Sequence, residues 1–167
     1  MSPMPTNLQQ LFRHDLWANR LILDACAGLT PEQMDTSTEG TYGTILRTLF
    51  HLVASVDSYA ARLVVRPRLL VNDDALPLPP FEVLRAVLAT AGTELIEQAG
   101  SVSETRTVDV AGDDGPRTIP AWIILVQAID HGREHRTHIA TMLTQLGIEP
   151  PDMDGWQFQY SGAAAVV

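Results

Sequence analysis

Residues 130–138 read Asp130-His131-Gly132-Arg133-Glu134-His135-Arg136-Thr137-His138. They lie inside a segment whose pattern predicts one helix over 119–146. Gly147 ends it, because glycine enters the left-handed region without steric cost. On that helix His131 and His135 are four residues apart, about 40° around the axis and about 6 Å along it. Side chains so spaced stack on one face. Two imidazoles in that position can converge on one ion at the ~2.0–2.1 Å typical of zinc–nitrogen bonds. His138 is three residues past His135 and can pair with it in turn, but it stands roughly 10 Å along the axis from His131.

Working outward, three more segments repeat apolar residues at steps of three and four. The first starts at Thr6-Asn7, either of which can cap a helix, and carries Leu8, Leu11, Phe12, Leu16, Leu21, Ile22 and Ala25 as a buried stripe. Gly28 stops it, and Thr30-Pro31-Glu32 opens a short helix or turn with proline at the first position. The second begins near Thr41 or Gly43-Thr44 and buries Ile45, Leu49, Leu52, Val53, Val56, Tyr59, Ala60 and Leu63. Arg66-Pro67 ends it, since the residue before proline is pushed out of helical geometry. Residues 71–80 hold Asn-Asp-Asp and three prolines and predict a loop. The third runs over 80–98 with Phe81, Leu84, Val87, Leu88, Ala91 and Leu95 inward.

Over 105–118 the period changes to two, with Val108 and Val110 alternating with Thr107 and Asp109 ahead of Gly112-Asp113-Asp114-Gly115. That predicts a short hairpin-like or irregular excursion before the last helix. The tail, 150–167, has Trp156, Phe158 and Tyr160 but no clear period. Four helices of about 20 to 27 residues joined by loops predict an all-α, antiparallel four-helix bundle.

The length of 167 residues suits one domain, 1–167, with one core. Hydrophobic residues at 46% and charged residues at 19% describe a globular chain and exclude a disordered one. The net charge of −9, with 11 scattered basic residues, argues against nucleic acid and against anionic membrane surfaces. No apolar run approaches the ~20 residues of a membrane span. Residues 1–7 lack the basic and apolar regions of a signal peptide. Cys26 is the only cysteine, so no internal disulfide forms and a cytoplasmic location is expected.

His51 adds to the pair on the last helix. It sits on the inward side of the second long helix among Leu49, Leu52 and Val53. A histidine there needs a polar partner or pays a desolvation cost of about a few kcal/mol. A metal held from the facing helix supplies one, and bundle cores are a known place for such sites.

The motifs around these histidines resemble the DinB-like proteins. His14-Asp15-Leu16-Trp17-Ala18-Asn19-Arg20-Leu21 is similar to the W-A-N stretch of that family's first helix. Gly43-Thr44-Ile45-Leu46 with Phe50-His51-Leu52 resembles its second helix and single histidine. Residues 130–136, then Ile139-Ala140-Thr141-Met142-Leu143 and Leu146-Gly147, resemble its last helix, with H-x-x-x-H followed by arginine. The motifs fall in order from Leu8 to Gly147, and the middle of the chain adds little.

The resemblance implies an open, three-histidine site for one divalent metal, with His51, His131 and His135 as ligands. His138 stands where the family commonly has a polar residue such as glutamine. The superfamily includes transferases and isomerases that use low-molecular-weight thiols, and also metal-dependent hydrolases. The reading drawn from it is a thiol-dependent S-transferase acting on small electrophiles. A hydrolase, or a non-catalytic metal-binding or stress-response protein, is the alternative. All-nitrogen ligation suits Zn or Ni, then Fe, Mn or Cu. The expected partners are a small-molecule substrate, with a low-molecular-weight thiol, and a second copy in a homodimer.

Other residues take plainer readings. His131-Gly132-Arg133-Glu134-His135 also matches the H-x-x-E-H protease pattern, in which Glu134 is a base, but no downstream acidic ligand follows and His51 is left without a role. His14 is read as packing or hydrogen-bonding rather than as a fourth ligand, Trp17 as a core anchor, and Asn19 as a bridge between helices. Cys26 is read as an inert buried thiol. Asp57 is read as solvated, and Asp130 and Arg133 as surface residues flanking the site.

Overall fold

The computed structural model describes residues 4–71, 78–112 and 115–165. Helix α1 spans Asn7–Cys26, the short α2 Pro31–Met34, α3 Ile45–Val64, and α4 Phe81–Ser101. Strands β1 (Thr107–Gly112) and β2 (Gly115–Pro120) then lead into α5, Ala121–Gln145. A short α6, Gly155–Tyr160, and a 3₁₀ turn, Ala163–Ala165, follow in the tail. The expected loop at 71–80 lies largely over residues outside those described. Among the described residues, no helix is long and apolar enough to cross a membrane.

Local chemistry sets the helix starts. The Thr6 hydroxyl accepts from Gln9 N–H while the Gln9 side chain accepts from Thr6 N–H, a capping box repeated by Thr30 and Gln33. Thr44 caps α3 through Arg47 N–H. Val65 ends α3 in the left-handed region (φ 59°), which turns Arg66 back towards the bundle.

The long helices pack in a ring: α1 touches α4 and α5, and α3 touches α4 and α5. Gln9 lies beside Gly100, and Asp24 is bonded to Arg85, so α1 and α4 run antiparallel. His51 meets His131 and Thr41 meets Met142, so α3 and α5 are antiparallel as well. Leu46 borders Phe81 while Arg66 binds Glu94, which makes α3 and α4 run the same way. The long connection between those two helices permits this, so the expected four-helix bundle is present but this neighbouring pair is parallel rather than antiparallel. Gly92 lets α1 and α4 approach closely, since a Cβ there would stand 2.4 Å from a Leu16 methyl.

The expected hairpin is present, antiparallel, with Val108 opposite Ile119 and Val110 opposite Arg117. The core joins Phe12, Leu16, Ile22, Leu49, Leu52, Leu88, Leu95, Ile139 and Met142. Two expectations need correction. Leu8 and Leu11 are 41% and 45% exposed, because the buried side of α1 turns towards Asp15 and Asn19 instead. Asp57 is fully buried, not solvated: its carboxylate accepts from Leu69 and Leu70 N–H and pairs with Arg66 at 2.8 Å. The tail is ordered by Phe158, whose ring packs on His14 and Trp17.

Candidate metal centre

Helices α3 and α5 bring together the three histidines. The Nε2 atom of His131 lies 3.1 Å from that of His51 and 3.0 Å from that of His135. One ring nitrogen from each of the three lies within 4.8 Å of the others. His135 is buried, whereas His51 and His131 are half-buried, so the cluster opens towards solvent on one side. Two ligands ~2.0–2.1 Å from a shared ion are about 3.0 Å apart when they subtend roughly 95°. Both observed separations therefore fit pairs of ligands on one ion.

The protonation chemistry agrees. Burial, reinforced by the His51 imidazole, pushes His131 down to about 4, with Asp130 opposing. Burial also takes His135 to about 4, reinforced by His131 and His51 and opposed by Glu134. His131 and His135 are thus neutral at pH 7, the form that binds metal. The Nδ1 atoms of His131 and His135 are buried without a hydrogen-bond partner among the described residues. No tautomer of three rings can satisfy three converging Nε2 atoms among themselves. An ion accepting all three lone pairs resolves the conflict, so the donor set fits a divalent metal.

Two tyrosines wall the cluster. Tyr42 stacks on His51 with ring centroids 4.1 Å apart and meets His135 edge-on at 5.1 Å. It is held by a loop in which the Thr41 hydroxyl donates to Thr38 C=O and Ile45 N–H donates to Thr36 C=O. Tyr59 meets His131 edge-on at 5.8 Å from the other side. Neither was found from the sequence as a site residue; Tyr59 stood only in the helix stripe.

The other candidates fall outside. His138 packs against His135 at 5.5 Å between centroids but is not part of the converging set. His14 is bonded through Nε2 to Met153 C=O at 2.8 Å, far from it in the fold. Glu134 is exposed and absent from the cluster, which removes the protease pattern. Asp130 and Arg133 are exposed, 3.7 Å apart, on the surface as expected. Cys26 is buried, and desolvation pushes its thiol up to about 12, which leaves it inert. Trp17 is half-buried beside Phe158 rather than in the centre of the core.

Beside His135, Arg136 faces the opposite seam. Its guanidinium donates to Asp15 Oδ1 and Asn19 Oδ1, both at 2.6 Å, and Asn19 Nδ2 donates to Asp15 Oδ2 at 3.0 Å. Asn19 is therefore the expected helix bridge. Burial raises the Asp15 carboxyl above its ordinary value, with Arg136 pulling against it. A Cβ on Gly132 would stand 3.0 Å from both Arg136 Nη1 and Asp15 Oδ1, so glycine makes room for this pair.

The DinB family model matches residues 4–164. The chain belongs to the DinB family. Comparison with curated proteins gives no match. Within this DinB-family chain, the histidines of the sequence motifs are the same ones that the fold draws to one point, and they form its candidate metal site.

Proposed function

We propose that this DinB-family protein is a metal-dependent, thiol-using S-transferase for small electrophiles, holding Zn or Ni on His51, His131 and His135. The observation that carries the reading is the convergence of three imidazoles, with His131 and His135 held neutral, on a point that stays open on one side. Neutral ligands leave an ion its full charge, and an open position separates a reactive site from a structural one. Such an ion supplies a positive charge that lowers the pKa of a thiol brought to it. Tyr42 and Tyr59 give the mouth aromatic walls for an apolar electrophile. The nucleophile must come from outside, because Cys26 is buried and inert. Among the described residues no carboxylate joins the cluster to act as a base for water, which favours a thiol.

The hydrolase reading draws on one feature, the His138 Nδ1 atom, which is buried without a hydrogen-bond partner among the described residues. Untagged protein should purify with about one divalent ion per chain, lost when His51, His131 or His135 is replaced by Ala. Turnover of an electrophile should then require a thiol from a panel of low-molecular-weight thiols. Turnover without thiol supports the hydrolase; bound metal without turnover supports a binding protein. Sedimentation of the same material tests the homodimer.

A further inference from the structure

The two edges of the hairpin are built differently. Ala121 N–H donates to Arg106 C=O at 2.8 Å just beyond the ladder. Hydrogen-bonded and non-hydrogen-bonded positions alternate along an antiparallel pair. With Val108 opposite Ile119 and Val110 opposite Arg117, the main-chain groups of Val108 and Val110 face β2. Those of Thr107, Asp109 and Ala111 face away. On β2 the outward positions are Pro116, Thr118 and Pro120. Proline has no N–H, so that edge is blunted against further pairing. Strand β1 holds no proline, and among the described residues its outward groups have no main-chain partner.

The open edge borders a cleft of about 610 Å³. Its other wall is the end of α3 and the turn after it, with Arg62, Arg66 and Arg68, and Arg106 closes one end. Helix α3 packs on β1 and α5 on β2, which puts the cleft on the outer side of β1. A chain of net charge −9 thus gathers four of its 11 basic residues here. Arg66 is fixed by Glu94 and Asp57, and Arg106 by Gln98 and the Leu63 carbonyl. Arg62 and Arg68 make no hydrogen bond or ion pair among the described residues. The one carboxylate among the described lining residues, Asp109, accepts from the Thr118 hydroxyl at 2.7 Å. On α3, Arg62 stands 11 residues past His51, about 16 Å along the axis, so this cleft is separate from the histidine cluster.

We propose that the cleft binds an acidic, extended segment of another protein, which adds to β1 as a third strand and places its carboxylates on Arg62 and Arg68. Main-chain bonds at 107, 109 and 111 supply affinity, and the two arginines select acidic side chains.

The test uses the full chain and a fluorescein-labelled peptide of alternating glutamate and valine, followed by anisotropy at low ionic strength. The peptide should bind saturably, and its lysine–valine counterpart should not. Arg62→Glu with Arg68→Glu should weaken binding by about tenfold or more. Asp109→Pro removes one outward N–H, leaves the ladder to β2 intact, and also deletes a negative charge. Strand addition predicts that it weakens binding about five- to tenfold, whereas Asp109→Asn does not. Attraction by charge alone predicts the reverse, tighter binding for both. Circular dichroism on each variant checks that the hairpin is retained. Equal binding of acidic and basic peptides overturns the proposal. So does binding that needs the arginines but survives Asp109→Pro in a folded protein, which identifies a small-anion site instead.

Discussion

His135 and Arg136 are neighbours on α5, yet they belong to two polar clusters built on opposite plans. In the α1–α5 seam, donors and acceptors match: Arg136 gives to Asp15 and Asn19, and Asn19 gives to Asp15. In the α3–α5 seam, three imidazoles turn the same kind of atom towards one point, and the buried Nδ1 atoms of His131 and His135 lack partners among the described residues. The first cluster completes itself and holds helices together. The second gathers ring nitrogens at one point without matching donor to acceptor, and that marks it as the candidate metal site.

The largest effect should come from breaking the completed cluster. Asp15→Ala leaves the Arg136 guanidinium buried with one acceptor fewer, and the loss should be about 3–5 kcal/mol by urea unfolding. A loss under about 1 kcal/mol, the range of exposed pairs, would erase the contrast. Next comes the open cluster. Zn or Ni at about a hundred times its Kd should stabilise the protein by about 2.7 kcal/mol. A chelator should remove that gain, and His51→Ala should abolish the response. A metal-dependent shift in melting that survives replacement of all three histidines would dissociate the site from these residues. Gly132→Ala sharpens the comparison, since the new methyl presses on Asp15 and Arg136, not on the imidazoles. Overpacking costs about 1–3 kcal/mol against a helix-propensity gain of about 1 kcal/mol. The net should be a small loss of stability with metal affinity unchanged.

How much of this was legible in the sequence follows the same division. The histidine cluster was readable because two of its members share a helix at four-residue spacing and the third stands alone on an apolar face. The bundle was readable from the stripes of α3 and α4, whose neighbours are apolar. The stripe of α1 misled at Leu8 and Leu11, because Asp15 and Asn19 hold buried positions through an arginine 121 residues away from Asp15. Periodicity within one helix carries no sign of such a partner. Asp57 shows the same limit: six residues past His51 it does lie on another face, but the turn at 66–70 covers that face and supplies its donors. Tyr42 had no periodic signal at all, since its place over His51 depends on how the loop before α3 closes. Asp15, Asn19 and Arg136 form an i, i+4 pair and a residue adjacent to His135, a weak signal that only gains meaning once α1 and α5 are known to touch.

The smallest predicted effect is a pH dependence belonging to the open cluster alone. In the folded, metal-free protein His131 and His135 hold off protonation until about pH 4, against an ordinary value of 6.5. The unfolded chain takes up those protons as pH falls through 6.5. Between the two values the unfolded state binds more protons, so stability is full above pH 6.5 and declines as pH drops towards 4. Half-burial of His131 leaves it partly screened by solvent, which keeps the effect modest. Urea midpoints at pH 7 and pH 5, taken with chelator present, should show the decline in the natural protein. His131→Gln with His135→Gln should flatten it, because glutamine fills similar space and takes up no proton. Profiles that fall in parallel for the two proteins would mean that the imidazoles are not the groups held neutral by the fold, and the cluster would lose the property that suits it to a metal.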